Sequence, residues 1–154
     1  MGLNEEVAVL STIPLFSRIA PAQLKLIAFS SQRVVFAGGQ DICRQGEAGD
    51  CAYVFISGSA DVIVEAQGGP RRISSVLPHQ IMGETAILAD VPRTATVRAR
   101  GDVVALKLTK DVLLRIMQDF PGVAIEITRL LAWRLHNTIE QLGADADEAD
   151  MPIS

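Results

Sequence analysis

Glu84 and Arg93 carry opposite charges nine positions apart in the stretch 82–97, each set where it can meet a ligand. Glu84 follows Gly83 at the end of a strand-like Gln80-Ile81-Met82, and Thr85 to Ala89 are helix formers. Arg93 follows Pro92 at the head of the alternating run Thr94 to Arg98, so the stretch reads as strand, one or two helical turns, then strand. The first turn of a short helix has backbone N–H groups without intrahelical partners, and they point with the positive dipole end at any anion placed there. Gly83 lets a ligand approach the backbone because it has no Cβ. Arg93 can offer a forked pair of donors to phosphate oxygens from the other side. Glu84 would repel a phosphate, so its partner is a neighbouring hydroxyl, and a ribose 2′-hydroxyl fits. A Gly-Glu or Pro-Arg pair alone is common at surface turns, and a buried Arg–Glu pair can be purely structural. It is the whole set at this spacing that points to a phosphate pocket.

The run Met-Gly-Glu-Thr-Ala-Ile-Leu-Ala-Asp-Val-Pro-Arg-Thr-Ala-Thr-Val resembles the phosphate-binding cassette of the cyclic nucleotide-binding domain family, whose pattern is roughly F-G-E-x-A-L, a spacer, then P-R-x-A-x-V. The resemblance implies backbone contacts from Gly83, Thr85 and Ala86 to a cyclic phosphate, an ion pair from Arg93, and a bond from Glu84 to the ribose. Met82, Thr94 and Ala95 complete the implied ligand-binding stretch. Met82 for Phe, Thr85 for an aliphatic residue and Ile87 for Leu depart from the pattern. Asp41 to Asp50 and Tyr53 to Gly58 are similar to the family's second to fourth strands, and the likeness covers roughly Ile13 to Leu142. His79 departs again, standing in a turn where the family usually has glycine; histidine tolerates positive φ better than most residues.

The elements that must position these residues are legible from periodicity. A length of 154 residues, with 49% hydrophobic and 21% charged, suits one domain with a single core. Asn4 is expected to cap a first helix, and Pro21 to open a second reaching Phe29. From Arg33 to Leu108 short β-rich runs alternate with glycines, giving strands near 33–36, 41–44, 52–57, 59–65, 71–77, 80–82, 94–99 and 103–108. So many short antiparallel strands avoid open edges by rolling up. Thr109 is expected to cap a helix that ends at Pro121, and a last helix runs from about Val123 to Leu142 with Gly143 as its stop. Leu131, Leu135, Ile139 and Leu142 share a face that must cover the roll or another subunit.

The expected fold is mainly β with flanking helices. It is an eight-stranded antiparallel β-roll, jelly-roll-like, with N-terminal helices, a short phosphate-binding helix and two C-terminal helices. Residues 1–30 form the N-terminal helical segment, 31–108 the roll, 109–143 the hinge and lid helices, and 144–154 an acidic, disordered tail of one overall domain. In the resembled family the last helix is a lid over the base. Arg134, His136 and Asn137 are the polar candidates to reach the ligand, with Arg134 preferred, and Trp133 is expected to pack, with stacking on a purine as the alternative.

Composition narrows the function. The net charge of −4 is accounted for by Asp145, Asp147, Glu148 and Asp150, so the body is formally neutral and direct nucleic-acid binding is not expected. No apolar run approaches a membrane span and no leader is evident, which makes the cytoplasm the default location. Cys43 and Cys51 read as two buried thiols on strands. Oxygenases and isomerases built on similar rolls need several histidines with a carboxylate, and this chain has His79 and His136 alone. No P-loop or nucleophile elbow is present. The sequence therefore reads as a binder and not an enzyme, with no metal and no cofactor. The expected function is a regulatory sensor of 3′,5′-cAMP, alternatively cGMP, coupling occupancy to its C-terminal helices and through them to a protein effector. The Thr94 hydroxyl can meet the amino group of a syn guanine, but no second guanine-specific feature accompanies it. The rival reading, motivated by Thr85 and His79, is a β-roll interaction domain that has lost nucleotide binding. A transcription factor of the catabolite-activator type would carry a helix-turn-helix after the long helix, where this chain has an acidic tail.

Overall fold

The computed structural model describes residues 2–149, with side chains through Ala144. Its element order is α1 (Leu3–Thr12), a 3-10 turn (Pro14–Phe16), α2 (Pro21–Ser30), β1 (Gln32–Phe36), β2 (Asp41–Cys43), β3 (Cys51–Ala66), β4 (Gly69–Val76), β5 (Ile81–Met82), α3 (Glu84–Ala89), β6 (Thr96–Thr109), α4 (Lys110–Asp119) and α5 (Pro121–Ala149). All strand pairs are antiparallel, in the order β1-β6-β3-β4, with β2 added on β6 and β5 on β3.

The described residues hold six strands where eight were expected. The runs 52–57 and 59–65 are one strand, β3, and the runs 94–99 and 103–108 are one strand, β6. Gly58 and Gly101 do not end a strand. They take φ of +83° and +75° inside strands whose register shifts between Phe55 and Ser59. Such bulges bend a strand without breaking its pairing, which is how two long strands curl into a roll. Gly58 is also a site of close approach, since a Cβ there would lie 2.9 Å from Val103 Cα and overlap the Asp102 carbonyl.

Period-two alternation along β3 builds two cores from one strand. Ala52, Val54 and Ile56 face the helices and join Leu10, Phe16, Leu24, Leu113 and Ile127. Cys51, Tyr53 and Phe55 face the interior of the roll with Met82, Val97 and Val103. A fully buried side chain of this size stabilises by about 1.5–3 kcal/mol, so β3 and its partner β6 are the least replaceable parts of the chain.

Helix ends follow local chemistry, with several corrections. Pro21 occupies the first turn of α2, and the Thr109 hydroxyl accepts from Val112 N at 3.4 Å to cap α4. Asn4 lies within α1, whose N-cap is Gly2. Pro121 opens α5, where its missing N–H costs nothing, and the helix passes through Gly143 to Ala149. Gly143 does not take the positive φ a glycine stop uses. The alanines and Glu148 beyond it are good helix formers that offset one glycine. The helix therefore takes up the first part of the segment expected to be a disordered tail, and 150–154 lie outside the described residues. Leu131 packs on the core, whereas Leu135, Ile139 and Leu142 face outward, so most of the stripe leaves the roll uncovered. Among the described residues no helix is long and apolar enough to cross a membrane.

Candidate functional site

β5, α3 and the loop into β6 bring Glu84 and Arg93 to the same place. Gly83 takes φ +92° as the N-cap of α3, the sharp turn needed to pass from β5 into a helix within one residue. Both charged side chains are buried, Glu84 at 1% and Arg93 at 6% exposure. They do not pair with each other. Arg93 donates through Nη1 to the Gly83 carbonyl at 3.2 Å and through Nη2 to the Cys51 carbonyl at 2.6 Å, with Cys51 Sγ at 3.5 Å from Nη2. A Cβ on Gly83 would collide with Arg93 Nη1, so the glycine is what admits the guanidinium.

The backbone around Arg93 is fixed as well. Arg93 N donates to the Glu47 carbonyl at 2.8 Å, and Gly46 N donates to the Arg93 carbonyl at 2.9 Å. Gly49 packs so closely on Ala86 that any side chain there would overlap it. The turn after β2, the start of β3, α3 and the Arg93 loop thus form one unit. Among the described residues Arg93 has no carboxylate partner. A buried guanidinium satisfied by carbonyls keeps its charge uncompensated, which is costly unless an anion is supplied. The N-cap of α3, Gly83, carries no side-chain cap and lies against this guanidinium, so the helix's first turn begins beside it.

Glu84 is treated differently. Its Oε1 accepts from Arg134 Nη1 of α5 at 2.5 Å, and its Oε2 is buried without a partner. The Arg134 side chain is 48% exposed, so this ion pair has one end in the protein and the other at the surface.

The remaining expected residues divide. Ala86 is buried in α3, Thr85 and Ala95 are half-buried, and Thr94 is exposed. Met82 sits in the roll core, below the surface that Gly83 and Arg93 form. His136 and Asn137 are exposed on α5. Trp133, expected to pack, is 62% exposed and stacks on His136 with ring centroids 5.7 Å apart. His79 holds its turn at φ +70°. Cys43 and Cys51 are both free and buried, and burial pushes the Cys43 thiol above its usual pKa. Sequence reasoning missed the Cys51 carbonyl, Gly46 and Glu47 as the supports of Arg93. Their contribution is made by backbone atoms and leaves no side-chain signature. Among the described residues no cluster of three His, Cys, Asp or Glu side chains could hold a metal ion.

Residues 33–120 match the cyclic nucleotide-binding domain family. The chain belongs to that family. Within it, the chain is 33% identical over 111 residues to a cAMP-dependent protein kinase regulatory subunit of Blastocladiella emersonii, covering 71% of this chain and 28% of that one. It is 28% identical over 145 residues to a CRP-like cAMP-activated global transcriptional regulator of Mycobacterium tuberculosis, covering 94% and 64%. The solved catabolite activator protein of Thermus thermophilus superposes with a TM-score of 0.80 at 29% identity, covering 88% and 64%. The chain therefore spans less than two thirds of the length of each of these three relatives. What it shares with them is a cyclic nucleotide-binding domain, mainly antiparallel sheet with flanking helices.

Proposed function

We propose that this domain senses a 3′,5′-cyclic purine nucleotide, cAMP in preference to cGMP, and transmits occupancy to α5. The observation that carries the reading is Arg93, a buried guanidinium oriented by two carbonyls and without a carboxylate partner among the described residues. One anionic diester oxygen on Arg93 and another on the N–H groups of Gly83, Thr85 and Ala86 would compensate that charge.

Glu84 links the ligand to the helix. Its unpartnered Oε2 is a ready acceptor for the ribose 2′-hydroxyl, while Oε1 stays with Arg134. Ribose, Glu84 and α5 then belong to one hydrogen-bonded chain. Differential strength of that chain with and without the nucleotide biases the position of α5, and no other relay is needed. Thr94 and Ala95, just past Arg93, are assigned by this reading to the base side of the ligand. The residues around Arg93 supply donors for a diester and no activated nucleophile, which supports binding without turnover. The output is a protein effector that reads the outward face of α5. A domain that keeps the roll but no longer binds nucleotide is the second reading, favoured by the prior claim of Arg134 on Glu84.

Thermal unfolding distinguishes the two. cAMP at about 100 times its dissociation constant adds about 2.7 kcal/mol, which raises the melting temperature by roughly 5 to 10 °C for a chain of this size. cGMP is expected to shift it less and 5′-AMP least. No shift with any cyclic nucleotide would favour the interaction domain.

A further inference from the structure

Arg134 faces a second environment. Beyond Glu84, it helps line a cavity of about 350 Å³ bounded by the Pro14 turn, the β4–β5 turn and α5. Neither Gly83 nor Arg93 borders this cavity, so it is distinct from the proposed phosphate seat. Its size is within the range of small-molecule sites, about 300–1,000 Å³.

The wall is apolar and the rim is cationic. Ile13, Leu15, Ile81, Leu130 and Trp133 supply the wall, and Ile13 and Ile81 are buried members of the helix-side core. Trp133 leaves more than half its surface to solvent, a large exposed aromatic beside an open hollow. Arg129, Arg134 and His79 stand at the rim against one lining carboxylate, Glu126. Arg129 is held by Glu126 in a surface i,i+3 pair at 3.0 Å, an interaction weak enough for Arg129 to be recruited by another anion. Arg134 meets Glu84 through Nη1, and a guanidinium carries five N–H donors in all. His79 brings an imidazole to this rim by holding a left-handed backbone that glycine would adopt without strain.

We infer that this cavity is a binding site for a small carboxylate with an apolar body, of the size of a medium-chain fatty acid. The chain lies along Ile13, Leu15, Ile81 and Leu130, and the head group meets Arg129 and Arg134. Because Arg134 also serves Glu84, the carboxylate and Glu84 compete for one guanidinium. A nucleotide phosphate is the poorer fit, since the wall offers it few donors, whereas a neutral hydrocarbon would leave the guanidiniums unused.

The test is a calorimetric titration of sodium decanoate into the whole chain without nucleotide, followed in parallel by the fluorescence of Trp133, the single tryptophan. The expected result is saturation at one site per chain with a Kd between about 50 µM and 1 mM. Decanol is expected to bind about tenfold more weakly or worse, and Arg129→Glu to weaken decanoate by a similar factor with an unchanged circular dichroism spectrum. Glu84→Gln, which removes the competitor for Arg134, is expected to tighten decanoate about threefold. Absence of saturation would overturn the inference, as would equal binding of decanol, indifference to both substitutions, or a signal that tracks protein concentration and so reports a second copy in the cavity. With no nucleotide in the cell, none of these outcomes depends on the proposed sensing of cyclic nucleotide.

Discussion

Arg93 is gripped by carbonyls of the β5–α3 turn and β3, on a loop tied to the turn after β2, whereas Glu84 is gripped by Arg134, a half-exposed side chain on the last helix. The first support belongs to the roll, whose central strands β3 and β6 pair along most of their lengths and contribute buried residues to both cores. The second belongs to α5, whose later apolar residues have left the core. One charged group is therefore part of a fixed scaffold and the other is attached to an element with far less holding it. Affinity is expected to reside with the fixed half and signalling with the attached half.

Substitutions can break that division or sharpen it. Gly83→Ala places a methyl group against Arg93 Nη1 and 2.9 Å from the Cys51 carbonyl at a φ that alanine resists. Affinity for cAMP is expected to fall by roughly tenfold to a hundredfold in a calorimetric titration, because the strain acts on the fixed half. Glu84→Gln keeps the shape and loses the charge. It is expected to cost about tenfold for cAMP and almost nothing for 2′-deoxy-cAMP, so the ratio of the two affinities reads the sugar contact directly. Equal losses for both nucleotides would move Glu84 from recognition to scaffolding.

Arg134→Ala tests the attached half. It leaves a buried carboxylate without its cation, and with the arginine half in solvent the expected cost is about 1 kcal/mol of unfolding free energy. Hydrogen exchange is expected to quicken in α5 beyond Leu131 and to stay unchanged in β3 and β6. Exchange that quickens across the roll instead would erase the distinction between the halves.

The smallest effect lies in the scaffold's own electrostatics. Arg98, and then Arg44, hold the Asp41 carboxyl below its ordinary value of 3.8, against the opposing effect of burial. A lowered folded-state pKa contributes stability that is present above 3.8 and lost as pH falls towards the folded value. Asp41→Asn is expected to remove less than about 1 kcal/mol at pH 7 and to flatten the acid limb of a denaturation profile below about pH 4, with cAMP affinity unchanged.

The stretch that holds Gly83, Glu84 and Arg93 is legible in the sequence, because anion binding needs particular side chains at particular spacing, and the structure brings the Gly83 turn and Arg93 together. Arg134 is legible as a polar residue on the last helix, yet its partner is not, since fifty residues separate it from Glu84. The sequence reading breaks the strands at Gly58 and between 99 and 103, where the structure has bends within β3 and β6, because a bulge and a turn use the same positive φ and differ only in whether pairing resumes across them. Gly143 was read as a helix stop from its type alone, when the residues after it sustain a helix. Packing is the expectation for Trp133, with stacking on a purine as its alternative, and the side chain instead lies largely exposed against His136.

The most direct measurement is a calorimetric titration of cAMP into the wild-type chain and into Arg93→Ala, with thermal unfolding run on both. Losing one member of a buried charge pair costs roughly 3 to 5 kcal/mol, so wild-type binding in the micromolar range is expected to fall by about two to four decades in the variant. The substituted chain is still expected to unfold cooperatively. Undiminished affinity in a folded Arg93→Ala chain would contradict the account at its centre.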